Sequence, residues 1–140
     1  MEPIQTLAYG VELHLVSTED GGRSSGLLGG TAPENRFTYR PNWGLPDWAD
    51  GEQTAGPVFG FSRSDILPGD DTRAVLVALF IENVQAWHDV RAGDELRMYE
   101  GSRICGRAIV EWIAAATWPS VENDAGRFLA WLAEPRRDRP

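Results

Sequence analysis

Short stretches of β-type residues, each bounded by turn residues, run through most of this 140-residue chain. From Val11 to Val16 apolar side chains alternate with Glu12 and His14, a pattern typical of a half-buried strand. The stretch from Ala74 to Ile81 is apolar at every position, which indicates a strand buried on both faces. Turns such as Leu67-Pro68-Gly69-Asp70, with proline second and glycine third, separate the stretches. The pattern predicts a mainly β fold.

The last part of the chain predicts a hairpin followed by a helix. Two strands, Glu95 to Tyr99 and Arg103 to Ile113, flank a turn at Glu100-Gly101-Ser102. A helix is predicted from the capping residue Ser120 to Pro135, because apolar side chains recur there on one helical stripe. The stripe consists of Val121, Ala125, Phe128, Trp131 and Leu132. The predicted core includes Leu76 or Val77, Leu79 and Val110.

The charge balance limits the classes of partner. The chain has 21 acidic and 13 basic residues, a formal charge of −8, and none of the basic residues is a lysine. Phosphate binding relies on basic side chains, so this balance disfavours nucleic acid and anionic membranes. A single cysteine excludes a disulfide within the chain. We see no signal-peptide core and no apolar run long enough to span a bilayer, so we expect a cytoplasmic protein.

Four segments carry a more specific signal. The first, Ser17 to Arg23, follows a strand, and the third, Pro68-Gly69-Asp70, precedes the long apolar strand. The second, Tyr39-Arg40-Pro41-Asn42-Trp43, is similar to Tyr-Arg-Pro-Gln-Phe, and the fourth, from Glu100 to Gly106, is similar to Glu-Gly-Gly-Arg-Thr-Val-Gly. In this order the segments resemble the C-terminal, third domain of elongation factor Tu, across roughly residues 9–113.

The resemblance implies a six-stranded antiparallel β-barrel over residues 1–118. Residues 119–140, a C-terminal helix and polar tail, have no counterpart in the family, and we expect them to pack on the barrel. A GTPase domain is not expected, because a P-loop needs a lysine that reaches the phosphates, and this chain contains none.

In the family this barrel contacts the T-stem of aminoacyl-tRNA, the GTPase domain and partner proteins. The resemblance carries RNA contacts over to Arg23, Glu100 and Gly101, while Tyr99 replaces an arginine of the turn. Arg40 and Arg103 complete the candidate RNA-binding set. The alternative is that Arg23 and Glu100-Gly101 only stabilise turns and that Arg40 braces a loop.

We interpret the chain as a non-enzymatic protein-interaction module that engages a translation-related partner through loops bearing Trp43, Trp48 and Tyr99. Aromatic residues are common at binding hot spots. The two tryptophans could instead fold back on the barrel as a plug. A tRNA- or RNA-binding accessory of translation is the second hypothesis, and a small enzyme of unknown class is the third.

No residue pattern indicates catalysis, a cofactor or a metal. Cys105 lies in a predicted strand and is expected to be a buried, inert thiol rather than a nucleophile. His14 and His88 are far apart in sequence and lie in no cluster of metal ligands. Asp70-Asp71 and Asp94-Glu95 adjoin turn glycines, so solvated turn acids are favoured over a catalytic carboxylate pair.

Overall fold

A computed structural model describes residues 3–119 and 122–135. It has a mainly β fold with a C-terminal helix, as the sequence predicts. The strands are β1 Ile4–Leu15, β2 Leu27–Leu28, β3 Asn42–Gly44, β4 Thr54–Ala55, β5 Val58–Phe61, β6 Asp65–Ile66, β7 Asp71–Val77, β8 Glu95–Glu100 and β9 Arg103–Trp118. Helix α1 is Glu122–Ala133, and 3-10 turns lie at Pro33–Asn35 and Gln85–Asp89.

Within the described residues the main sheet contains seven strands in the order β4-β3-β8-β9-β1-β7-β5. Its pairs are antiparallel, and β1 pairs with β9 along its whole length, from Ile4 opposite Trp118 to Leu15 opposite Gly106. The short strands β2 and β6 form a separate two-stranded antiparallel ribbon.

The sheet is not closed into a barrel, so the closed six-stranded barrel expected from the resemblance is wrong. The edge strands β4 and β5 follow one another along the chain, separated by Gly56 and Pro57. Pro57 has no amide hydrogen to donate to a ladder, although its carbonyl oxygen accepts from the amide of Val77 at 3.0 Å and that of Ala55 accepts from the amide of Leu79 at 3.2 Å. A single bridge between Tyr39 and Val58 lies outside the named strands.

The sheet buries apolar residues on both faces. On one face the main core collects alternate residues of β1, including Val11, Leu13 and Leu15, with the fully buried Trp87. On the other face a second cluster packs β5, β7 and the ends of β1 and β9 against α1. That cluster consists of Ala8, Phe59, Val75, Val77, Ala116, Phe128 and Leu132. Two buried faces explain why the second half of β7, from Ala74 to Val77, is apolar without alternation.

The long apolar stretch is only partly a strand. Leu76, Val77 and Val110 are buried, as predicted. The predicted core position Leu79 is wrong, because β7 ends at Val77 and Leu79 is only partly buried. Phe80, with a φ of 54°, continues in a conformation outside the β region and leaves its side chain 60% exposed.

Helix α1 lies close to its predicted position, although Ser120, Val121 and the tail 136–140 fall outside the described residues. Phe128 and Leu132 are buried against the sheet. At the C-terminal end, Arg73 Nη1 donates to the carbonyl oxygens of Trp131 and Glu134, at 3.2 and 2.9 Å. Among the described residues no helix is both long enough and apolar enough to cross a membrane.

Candidate functional site

A shallow groove of about 650 Å³ lies beside the turn between β8 and β9. We call it the turn groove. It brings together two residues singled out from the sequence, Tyr99 and Arg103, with side chains of β1 and β9 and two loops. Its lining comprises His14, Val16, Asp20, Gly21, Asp50, Gly51, Tyr99, Ser102, Arg103, Ile104 and Arg107.

Basic residues lie side by side on the strands at this groove. Arg107 of β9 is directly opposite His14 of β1 on one side and Arg97 of β8 on the other. Like charges placed opposite each other destabilise a sheet. Each has a carboxylate partner: His14 Nδ1 lies 2.8 Å from Asp71, Arg107 Nη1 lies 3.1 Å from Glu95, and Arg97 Nη1 lies 3.4 Å from Asp50. These acids offset the local repulsion.

Arg103 is the more available cation of the turn groove. Its side chain is exposed, and its Nη1 donates a long hydrogen bond of 3.4 Å to the carbonyl oxygen of Gly22. Within residues 3–119 and 122–135 it makes no ion pair. It is therefore the groove arginine best placed to meet an anionic group.

Arg23 and Glu100, two of the candidate RNA contacts, form an ion pair with each other. Their side chains are only 22% and 33% exposed. Arg23 also donates from Nε to the carbonyl oxygen of Ser25 at 3.1 Å, and the Glu100 carboxylate accepts a 2.5 Å hydrogen bond from the Tyr39 hydroxyl. Both side chains are thus engaged with partners inside the chain, as expected of residues that stabilise turns.

The same network continues to Cys105. The Tyr39 hydroxyl lies 3.7 Å from Cys105 Sγ. The Cys105 thiol donates to the carbonyl oxygen of Met98 at 3.5 Å. Burial raises the pKa of the Cys105 thiol to about 11. Burial, followed by the hydrogen bond to Glu100, raises the pKa of Tyr39. A thiol that holds its proton at neutral pH is a poor nucleophile.

A β-bulge places Cys105 in the interior. Tyr99 pairs with Ile104 and Met98 pairs with Gly106, so Cys105 is an extra residue on β9. Such a bulge breaks the inward-outward alternation of the strand. Strict alternation from Arg103 would have put Cys105 on the same face as the exposed Arg107.

Two of the three predicted partner contacts are interior residues. Trp43 is fully buried and donates from Nε1 to the carbonyl oxygen of Gly56 at 2.7 Å, and Tyr99 is 2% exposed. Trp43 has no exposed surface with which to contact a partner, and Tyr99 borders the turn groove with only 2% of its surface exposed, so neither ring supports the predicted partner contact. Trp48 is partly buried against the main core.

Tyr99 and Arg97 support the loop 45–53, which borders the turn groove. The backbone amide of Gly51 donates to the Tyr99 hydroxyl at 3.1 Å. Arg97 Nη2 donates to the carbonyl oxygens of Leu45 and Trp48, at 3.2 and 2.9 Å. The loop so held exposes Asp47, Asp50 and Glu52. The sequence predicts the acidic character of this loop. It does not predict the role of Arg97, which lies about 50 residues away from the loop in the chain.

The remaining candidates have structural partners. Arg40 donates from Nε to the carbonyl oxygen of Phe37 at 2.8 Å, and its guanidinium lies 6.0 Å from the ring of Trp118. Gly101 has a φ of 62° in the β8–β9 turn, a conformation that favours glycine. Arg40 therefore braces the segment before Pro41, and Gly101 serves the turn.

The part of the chain that the structure describes holds no group of three or more His, Cys, Asp or Glu side chains arranged to bind a metal ion. His14 and His88 belong to different parts of the fold, β1 and the 3-10 turn at Gln85–Asp89. Comparison with models of protein families and with curated proteins yields no match for this chain.

Proposed function

We propose that this chain is a non-enzymatic protein-interaction module, resembling the third domain of elongation factor Tu, that engages a translation-related protein through the turn groove and the loop 45–53. Hydrogen bonds from Arg97 and to Tyr99 hold the backbone of the loop in place. A loop that is already ordered loses little conformational entropy on binding, which favours affinity.

The carrying observation is how the arginines and acids are distributed around the groove. Arg23 is paired with Glu100, so its guanidinium is committed within the chain. The ordered loop meanwhile exposes Asp47, Asp50 and Glu52, and Asp50 keeps 98% of its side chain exposed although its carboxylate lies 3.4 Å from Arg97. An acidic rim repels phosphates and attracts basic protein surfaces. A partner protein with lysine or arginine at its contact surface therefore fits the groove better than RNA does.

RNA or tRNA binding is the second candidate, and a specific observation favours it. His14, Arg103 and Arg107 all line the turn groove. Phosphate contacts come mainly from such residues. His14 and Arg107 already have carboxylate partners, which leaves Arg103 as the cation available without breaking an ion pair. One available cation supplies a small part of the electrostatic attraction that nucleic-acid binding needs.

The proposal is tested by capture of partners from native lysate on the immobilised protein, with and without nuclease. Asp50→Arg reverses a charge on the loop at the groove; because it also removes the 3.4 Å pair with Arg97, the variant is used only if its melting curve matches that of the parent protein. Asp89→Arg makes the same change in an exposed residue of the 3-10 turn and serves as the matched control.

We expect a discrete protein that is retained after nuclease treatment, retained by Asp89→Arg and lost by Asp50→Arg. Capture that disappears on nuclease treatment would contradict the proposal and favour RNA. Capture that is identical for the two variants would show that the loop 45–53 is not the contact surface.

A further inference from the structure

The ribbon formed by β2 and β6 has one face in the core and one in solvent. Leu27 pairs with Ile66, and both side chains are buried, 7% and 0% exposed. Leu28 pairs with Asp65, and alternation turns this pair outward. Leu67, the next residue on the outward side after Asp65, is 60% exposed, and Leu28 is 69% exposed. Leu28, Asp65 and Leu67 line a groove of about 510 Å³. We call it the ribbon groove.

The exposed leucines are carried on an ordered backbone. The amide of Leu67 donates to Asp70 Oδ2 at 2.9 Å, and Asp70 also pairs with Arg63 at 3.3 Å. The ribbon is anchored further by the amide of Gly29, which donates to the carbonyl oxygen of Ser64 at 2.8 Å. A Cβ at position 29 would lie 2.2 Å from the carbonyl oxygen of Arg63, so glycine permits this close approach. Leu28 and Leu67 are thus held outward by the fold.

Asp65 gives the ribbon groove its net charge, because the other two charged residues of the lining, Arg63 and Asp70, pair with each other. It is exposed between the two leucines and makes no ion pair within the described part of the chain, whereas the neighbouring Asp70 is neutralised by Arg63. The whole chain carries a formal charge of −8. A ligand that covers the leucines and also supplies positive charge is therefore the complementary one.

We infer that the ribbon groove is a docking site for a protein segment that presents leucine-like side chains next to a lysine or arginine. The apolar groups would cover Leu28 and Leu67, and the cation would meet Asp65. A second copy of this chain fits poorly, because a symmetric contact would place acid against acid. The site shares no lining residue with the turn groove, so it does not depend on the function proposed above.

Two synthetic peptides of identical length and leucine content test this inference, one with lysines and one with glutamates at the polar positions. Binding to the complete chain is measured by titration, and the contact is mapped from chemical-shift changes. We expect saturable binding of the lysine peptide, with shifts centred on Leu28 and Leu67.

The variants sharpen the test. Leu28→Ser and Leu67→Ser are each expected to weaken binding about tenfold, as for buried hot-spot residues. Asp65→Lys is expected to weaken it about fivefold and to improve binding of the glutamate peptide. The matched control is Ile109→Ser, which removes a 42%-exposed apolar side chain elsewhere on the sheet and should leave affinity unchanged.

Three results would overturn the inference. The first is equal binding, or no binding, of the two peptides. The second is a dimer, detected by light scattering, that Leu28→Ser dissociates, which would make a second copy the occupant. The third is peptide binding that is seen only after removal of residues 136–140, which would make the chain's own arginine-rich tail the occupant.

Discussion

Gly10 occupies the position opposite Trp112 in the β1–β9 pair, and the indole needs the space that a side chain would fill. A Cβ at position 10 would lie 2.1 Å from Cε2 of Trp112. The indole is itself packed, stacked on Phe128 at 6.1 Å and edge-on to Trp131 at 5.3 Å. We therefore expect Gly10→Ala to lower the free energy of unfolding by about 1–3 kcal/mol, as for an overpacked core site. Denaturant titration of the parent protein and of Gly10→Ala measures this difference in the free energy of unfolding.

Gly126 is the matched glycine for this experiment. It is exposed on α1, and a Cβ there would meet nothing within 4 Å. Gly126→Ala should therefore stabilise the protein by roughly 0.5–1 kcal/mol, because alanine is the better helix former. If Gly10→Ala were neutral or stabilising too, Trp112 would not be packed across Gly10 as described.

Burial of the Cys105 thiol makes the free energy of unfolding fall at alkaline pH. The thiol ionises near pH 9.0 in an ordinary environment but holds its proton to a pKa of about 11 in the fold, because it is buried. Between these pH values the unfolded state loses a proton that the folded state keeps, so the free energy of unfolding falls as pH rises. We expect the buried thiol of Cys105 to lower the free energy of unfolding by about 2–3 kcal/mol at pH 11, relative to its value below pH 9.

Comparison with Cys105→Ala isolates that contribution. Burial also raises the pKa of Tyr9 and Tyr39, so both proteins should lose stability in alkali. Denaturant titrations from about pH 8 to pH 11 should show the smaller loss for Cys105→Ala. Parallel curves for the two proteins would mean that the thiol is not shielded from water in the folded state.

Among the elements, α1 covers the second apolar cluster, formed by residues of β1, β5, β7 and β9. Phe128 is fully buried, with its ring edge-on to Phe59 at 5.1 Å. We expect Phe128→Ala to cost about 3–5 kcal/mol, a large share of a domain's total of about 5–15 kcal/mol. Ala130→Ser, on the exposed side of the same helix, should change stability by less than about 0.5 kcal/mol. A melting temperature unchanged by Phe128→Ala would show that α1 does not contribute to the folded core.

The local pattern is sufficient for the elements with strong periodicity. The alternation from Val11 to Val16 predicts the second half of β1 and the apolar stripe predicts α1, since each depends on which side chains must leave water; the first half of β1, from Ile4 to Gly10, is not predicted. Leu79 is misplaced, because the apolar run continues past the end of β7 and periodicity does not mark where a strand stops. Cys105 faces inward through a bulge that depends on the pairing with β8.

Long-range contacts account for most of what the sequence does not predict at the candidate site. Arg23 and Glu100 are 77 residues apart and still form one ion pair. Loops rich in aromatics and acids predict a contact surface around Trp43. That ring is buried because residues of distant strands surround it. The sequence of the loop alone does not predict those long-range contacts.

For the molecule as a whole, the absence of lysine from the sequence gives a prediction about nucleotide. A P-loop binds phosphates with backbone amides and a lysine, and this chain has no such lysine. We expect calorimetric titration with magnesium-GTP to show no saturable heat. A dissociation constant in the range of about a micromolar, which corresponds to roughly 8 kcal/mol of binding free energy, would contradict this expectation.

Protein rather than RNA as the partner is the central claim, and titration of the chain with labelled tRNA at physiological ionic strength tests it most directly. Arg23 is paired within the chain and the formal charge is −8. The account therefore predicts only weak binding, with a dissociation constant no tighter than roughly a micromolar, as for non-specific contacts. Tight binding that falls steeply with added salt and is weakened by Arg103→Ala would contradict it and make the chain an RNA-binding accessory.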